Sequence, residues 1–460
     1  MNTILIIIGL AAFSYLAWRS NLWALALTVF ALPSYLLRFS IGPLPTTFLE
    51  IMIVINFSFI FFRQIWPRLR SGWKKGKTSV YPFAKEIIVF LLIFFAAAAI
   101  ANFQRSTLGL LKAYAFDPIL FFISFFWVVR NRADWELIMK SCLASAVPIS
   151  FFAAIQWFSG NFITNPFWAA EASRRATSFF PYPNAVGLYL GPISLLAITF
   201  AAYLSKKSPK KNWEKIISLI IALLAIISCY FAKSDGALIA IAVGLAFFLL
   251  FNSHRSRLLL LTLGLIGFIT LSFWPSARES LWQKATLNDL SGKIRQQQWL
   301  ETWQMLNDGR EISGAGLGGY QEKVAPFHQE GIFFNSDGLS DFGTKTYASS
   351  TLRAKYWQPV EIYLYPHNLF LNFWSELGLV GLLFFLWLFG RYFFLLWKLK
   401  KTANEADRQI LLGLAAAMLA IIVHGLVDVP YFKNDLAVFF WLLFAWLGWF
   451  SLEKKFLKTE

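Results

Sequence analysis

The chain is divided into apolar runs at 3–17, 22–37, 47–63, 86–103, 114–129, 136–158, 184–204, 215–232, 236–251, 258–275, 369–397, 409–427 and 435–452. Crossing the roughly 30 Å of hydrocarbon in a bilayer takes about 20 apolar residues in a helix. Inside lipid every backbone N–H and C=O must be satisfied within the protein, so runs of this kind have one solution, the α-helix. A transmembrane barrel is excluded because its strands alternate apolar and polar residues. The expected fold class is all-α: a polytopic integral membrane protein with about 12–13 transmembrane helices, twelve if the first two short runs form one unit. The N-terminal run lacks a basic flank and a small-residue cleavage pattern, and reads as a membrane segment. The 369–397 run is too long for one straight span, so its first turns are expected at or above the interface.

Composition supports this reading. Of 460 residues 57% are hydrophobic and 15% charged, with a mean hydropathy of +0.55. Soluble chains have about 45–50% apolar and about 25% charged residues. A cytosolic enzyme and a disordered chain are both excluded. The 49 Phe and 20 Trp suit lipid-facing surfaces and interfacial belts. Cys142 and Cys229 lie inside apolar runs, which argues against a disulfide framework or a thiolate metal site.

A net charge of +17 would suggest nucleic acid in a soluble protein, but here it follows topology. One set of connections, with the C-terminal tail and Arg19, holds 26 of the 42 Lys and Arg residues. The positive-inside rule puts that set, and the C-terminus, in the cytoplasm. No nucleic-acid partner is expected. The chain divides into N-terminal transmembrane helices over 1–275 (about ten), a large extracytoplasmic loop over 276–366, and C-terminal transmembrane helices over 367–460 (about three).

The long loop contains a helical segment near 295–307, with Trp299, Trp303 and Leu306 at helical spacing and Arg295 one turn before Trp299 on the same face. That face is expected to pack on the membrane body. A glycine-rich run, Gly314 to Gly319, follows. It has neither a preceding strand nor a Gly-Lys-Ser/Thr continuation, so nucleotide binding is unsupported. A loop of this length between short-looped spans is functional or disordered, and its aromatics and short helix favour an ordered cap.

The extracytoplasmic face carries cations beyond the topological bias: Arg105, Lys112, Arg174, Arg175, Lys233, Arg295 and Lys433. Arginine forks match phosphate oxygens bidentately, so this set suits a lipid diphosphate; lipid-headgroup snorkelling is the bland alternative. His367 stands where the polar loop ends and an apolar helix begins, with Leu371, Trp374 and Gly378 on its face. A neutral imidazole there suits a general base for a sugar hydroxyl; otherwise His367 or Asn368 caps the helix. His424 and Asp428, spaced i, i+4, share a helical face. Asp428 either orients His424 or binds a hydroxyl, or the pair closes the helix before Pro430. Glu376 is half a turn out of phase with His367 on a continuous helix, which favours a structural role. No metal spacing is evident among carboxylates and histidines.

Four segments resemble the O-antigen ligase and O-antigen polymerase superfamily. They are Arg174-Arg-Ala-Thr-Ser-Phe-Phe-Pro-Tyr-Pro-Asn-Ala-Val-Gly-Leu-Tyr-Leu190, Arg295 through Trp299 and Trp303 to Tyr320, Pro366-His-Asn-Leu-Phe-Leu-Asn-Phe-Trp-Ser-Glu-Leu-Gly-Leu-Val-Gly-Leu382, and His424-Gly-Leu-Val-Asp-Val-Pro430. They span 174–430 in the family's order, and the early segment Gly42-Pro-Leu-Pro-Thr-Thr is compatible. The Pro-His-Asn segment is the specific one. One departure is Ser234-Asp-Gly-Ala237 after Lys233, where many members have Ser-Arg-Gly-Ala.

The resemblance implies a GT-C-type, metal-independent glycosyltransferase in a bacterial cytoplasmic (inner) membrane, with its active site facing the periplasm and no cofactor. The implied donor is an undecaprenyl diphosphate-linked glycan, and the acceptor a glycolipid, glycan or protein hydroxyl among membrane lipids. Arg174, Arg175 and Arg295 would grip the diphosphate, with Lys233 and Arg105 as further cations. His367 would activate the acceptor, supported by His424, Asp428 and Asn368. A polymerase joining lipid-linked repeats and a protein O-oligosaccharyltransferase remain open. A lipid-linked glycan flippase is disfavoured, since transporters put ionisable groups near the midplane.

Overall fold

The computed structural model describes residues 3–42, 44–70, 82–208, 210 and 212–456. Parts of two expected cytoplasmic connections and of the C-terminal tail lie outside the described residues, as does Pro43. Helices make up 77% of the described residues. Among the described residues ten helices are long and apolar enough to cross a membrane. Three shorter apolar helices, Thr3–Arg19, Asn21–Phe30 and Ala84–Ile100, account for the remaining runs. Ser20 separates the first two as an N-cap, its hydroxyl accepting from the Trp23 N–H. The protein is thus an all-α multi-pass membrane protein. Two short antiparallel ribbons, Arg38–Ile41 with Leu44–Thr47 and Gly331–Phe333 with Trp357–Pro359, interrupt the helical pattern.

Pro183–Lys207 and Asn434–Glu453 form the centre of the bundle, each 89% buried over its apolar window. Small residues let their neighbours approach. Gly187 sits against Ser234 and Ala237, and Gly413 against Thr199, with no room for a Cβ at either contact. In lipid this close backbone approach does the work that hydrophobic exclusion does in water. Charged residues at helix ends pair across elements: Arg132 meets Asp407 at 3.0 Å and Glu453 at 2.8 Å, and Lys112 meets Glu50 at 2.7 Å. His254–Phe273 is apolar all round and none of its window is buried, the pattern of a helix surrounded by acyl chains.

The Leu369–Lys400 helix is broken at Gly378, whose φ of 73° and ψ of 177° leave the α region. This divides it into a short arm before the break and a span-length helix after it. The glycine-rich run fits against the break through backbone groups. The Leu379 N–H donates to the Ile312 carbonyl at 3.0 Å, and the Ala315 N–H donates to the Ser375 carbonyl at 2.6 Å. A Cβ on Gly314, itself at φ 66°, would lie 2.6 Å from the carbonyl oxygens of Trp374 and Ser375. Only glycine satisfies both the positive φ and the close approach. Glu376 closes the joint, its carboxylate accepting from the Gly318 N–H at 2.5 Å.

The 276–366 segment carries short helices, chiefly Leu290–Asn307, which starts five residues earlier than the sequence spacing indicated. Trp303 meets Trp374 edge-on at 5.6 Å, the Trp374 indole N–H donates to the Glu311 carbonyl at 2.6 Å, and the Trp299 indole N–H donates to the Pro366 carbonyl at 2.9 Å. The segment is therefore stapled to the arm before the break.

Candidate functional site

The approach to the site begins with a buried amide. Gln156, near the end of the Arg132–Ser159 helix, is fully buried. Its side-chain oxygen accepts from the Thr177 and Ser178 N–H groups at 2.9 and 2.7 Å, and its NH2 donates to the Phe162 carbonyl at 2.9 Å. This ties the 160–182 loop to the bundle and fixes two adjacent arginines in opposite roles. Arg174 turns inward, donating to the Trp157 carbonyl at 3.0 Å and lying against Gly160. Arg175 donates to the Ala232 carbonyl at 2.9 Å, to the Asn184 amide oxygen at 2.8 Å and to the Lys233 carbonyl at 3.2 Å. Burial lowers its pKa, opposed by Asp235 and reinforced by Arg295.

Two cavities share a wall at Arg175, Asn184, Ser291 and Arg295. The larger, about 620 Å3, is also lined by Tyr182, Gln298, Tyr363, Tyr365 and His367. The smaller, about 160 Å3, adds Lys233, Asp235, Lys284, Asp289 and His424. Asp235 is paired with Lys284 at 2.8 Å, so the aspartate where the family pattern has arginine has its own counter-charge. Arg295 donates to the Ser291 hydroxyl at 2.8 Å while its Nε is buried without a partner.

His367 precedes the helix instead of lying on its face. Its φ is 46°, an uncommon conformation for a residue with a side chain, and the imidazole turns back between Tyr363 and Tyr365, both 5.0 Å away between ring centroids. The expected alignment with Leu371, Trp374 and Gly378 is therefore corrected. The cap is Asn368, whose side-chain oxygen accepts from the Phe370 and Leu371 N–H groups at 3.0 Å while its NH2 donates to the Leu426 carbonyl. His367 Nδ1 lies 2.9 Å from the Gln298 side-chain oxygen. With the oxygen as acceptor, Nδ1 carries the proton and Nε2 keeps its lone pair. Burial holds the His367 pKa below the ordinary histidine value, with Asp428 pulling it up and Arg295 pushing it down.

His424 and Asp428 do not share a helical face, because the helix ends at His424 and Gly425 caps it. Asp428, buried, instead accepts from the Asn184 NH2 at 3.1 Å and from the Val429 N–H at 2.8 Å. His424 packs against Gly236, where a Cβ would lie 2.9 Å from its ring. Lys233, at φ 46°, extends its ammonium toward the Trp157 ring. Arg105 opens the Arg105–Leu111 helix and lines neither cavity.

The structure thus brings Arg175, Arg295 and His367 together on one cavity, with Lys233 and His424 on the adjoining one. Asp428 and Asn368 stand behind, and Arg174 and Arg105 stand apart. Sequence reasoning missed Asn184 and Gln298. Asn184 was visible as a polar residue in the first turn of an apolar helix, directly after a proline; Gln298 carried no signal of its own. Among the described residues no group of three or more His, Cys, Asp or Glu residues is arranged to hold a metal ion.

The fold and cavities define a polytopic helical membrane protein with a cation-lined cavity at one end of its bundle, covered by a long polar segment. Residues 220–386 match the family model described as O-antigen ligase, which supports the resemblance to the O-antigen ligase/polymerase superfamily. The match contains Lys233, Arg295 and His367. No curated protein matches the chain.

Proposed function

We propose that the protein is a glycosyltransferase that moves a glycan from undecaprenyl diphosphate to an acceptor hydroxyl at the outer face of the bacterial cytoplasmic membrane. One observation carries the reading: Arg175 and Arg295 converge with His367 on a single cavity of about 620 Å3. In the reaction the anomeric C–O bond to diphosphate breaks and a new C–O bond to the acceptor oxygen forms. The acceptor proton goes to His367 Nε2, and the diphosphate leaves carrying the bonding pair. The paired guanidiniums stabilise charge developing on that leaving group. The histidine contributes a general-base factor of about 10²–10⁴. Neither a nucleotide nor a metal takes part.

The test is reconstitution with lipid-linked oligosaccharide, with and without a separate acceptor. One-step transfer to the added acceptor supports a ligase, and a ladder formed from donor alone makes the protein a polymerase. No transfer under either condition, or complete loss with EDTA, overturns the metal-free transfer. The proposed orientation, with the 276–366 segment outside and the C-terminus cytoplasmic, is tested by labelling a cysteine introduced at Ser340 with an impermeant thiol reagent.

A further inference from the structure

The 276–366 segment contains a third cavity, which the proposed reaction does not use. It encloses about 480 Å3, and its lining includes Asn288, Gln296, Gln297, Phe333, Phe334 and Phe342. It shares two walls with the His367 cavity. The first is the Leu290–Asn307 helix: Ile294, Arg295 and Gln298 line the inner cavity, while Gln296, Gln297 and Leu300 line the outer one. One helix, about 10 Å across, separates them. The second is the Gly331–Phe333 ribbon. Its first strand lines the outer cavity, and the chain leaving its second strand continues into the Glu361–Tyr365 stretch that lines the inner one.

The outer lining suits uncharged sugars. Side-chain amides both donate to and accept from hydroxyl groups, and aromatic rings pack against apolar C–H faces. Phe333 is 45% exposed yet held edge-on to Trp357 at 5.0 Å, and Phe342 is held edge-on to Tyr356 at 5.2 Å. Among the described residues lining it Lys293 is the one that is charged, and its ammonium donates to the Gln296 side-chain oxygen at 3.2 Å.

We infer that this outer cavity binds sugars of the glycan that lie beyond the reacting residue, so that a long lipid-linked glycan is held in two adjoining sites and a short one in a single site. The inference rests on the glycosyl-transfer reading of the inner cavity. It is tested with the purified full-length protein and lipid-linked glycan extracted from its native membrane, separated into one-repeat and many-repeat fractions. In Phe333→Ala and Gln296→Ala, the ratio of kcat/KM for many-repeat to one-repeat donor should fall about tenfold through KM, the equivalent of one good contact. An identical ratio in wild type and both variants overturns the site. A benzophenone amino acid at position 333 gives a readout independent of turnover. Irradiated with lipid-free glycan released from the same donor, it should form a glycan adduct, and no adduct overturns the site. If wild type transfers neither fraction, the reaction assignment fails and the adduct alone decides whether the outer cavity holds glycan.

Discussion

The side-chain oxygen of Gln298 lies 2.9 Å from Nδ1 of His367, and with that oxygen accepting, Nδ1 carries the ring proton and Nε2 keeps its lone pair. Gln298 sits on the Leu290–Asn307 helix, so the segment covering the cavity also orients its imidazole. Gln298→Ala should lower turnover on the order of tenfold, part of the range expected for a positioned base. Gln298→Glu should shift the acid limb of the kcat/KM profile to higher pH, because a carboxylate at Nδ1 favours the imidazolium. An acid limb that does not move in Gln298→Glu would remove Gln298 from this role.

The pH dependence of the wild type has a defined sign. Burial lowers the His367 pKa, so the neutral base persists below the ordinary histidine value, and the acid limb of activity should fall under about pH 6.5. His367→Ala should lose about 10²–10⁴-fold in turnover while retaining donor binding. Because the folded protein takes up its proton less readily than the unfolded chain, His367 should also erode stability as pH falls from the unfolded value toward the folded one. Arg295→Ala removes a cation that disfavours the imidazolium and should move the acid limb upward. A wild-type acid limb above pH 7 contradicts this account.

Adjacent arginines should behave differently. Arg175→Ala should raise donor KM much more than Arg174→Ala, which should mainly lower the thermal midpoint by releasing the Trp157 carbonyl. Arg175→Lys should rescue little, because one ammonium cannot reproduce contacts to Ala232, Asn184 and Lys233 and still offer a further donor, as Nη1 of the arginine does, to phosphate. Donor titrations and melting curves on the three purified variants decide it.

Asn184→Ala should resemble a weakened Arg175 variant. It removes the link between Asp428 and Arg175 and leaves a buried carboxylate oxygen short of a donor, a loss of about 1–3 kcal/mol. Asn184→Asp should be worse, since two carboxylates would then face each other. Equal melting temperatures for wild type and Asn184→Asp would exclude this network from stability.

Much of the fold was legible because each span satisfies its own backbone within one apolar run, and apolar runs are local in sequence. The break in the Leu369–Lys400 helix was not, because the demand for φ > 0 at Gly378 comes from the Ile312 and Ser313 carbonyls, distant in the chain. His367 and Arg295 were readable from scarcity and helical spacing. The separation of Arg174 from Arg175 was not, since it depends on how Gln156 holds a loop that follows it in sequence. The expected His424–Asp428 face failed for a local reason, the end of the helix at Gly425.

The glycine joint predicts its own sensitivity. Gly378→Ala would drive a Cβ into the Ile312 carbonyl and hold a side chain at φ 73°, a strain of about 1–3 kcal/mol before any clash. Its thermal midpoint should fall more than that of Gly390→Ala on the same helix, where nothing lies within 4 Å of the added atom. A Gly378→Ala protein as stable as the Gly390→Ala control would contradict the joint.

That joint also orders events during biosynthesis. The carbonyls and N–H groups of residues 312–318 find their partners on residues 375–379, which leave the ribosome more than fifty residues later. The polar segment cannot complete its backbone bonding when it is first synthesised, and must wait until the following helix has been made and positioned. Until then it is exposed to proteases and chaperones, so a chain truncated before residue 375 should be degraded even though most of its spans have already been made.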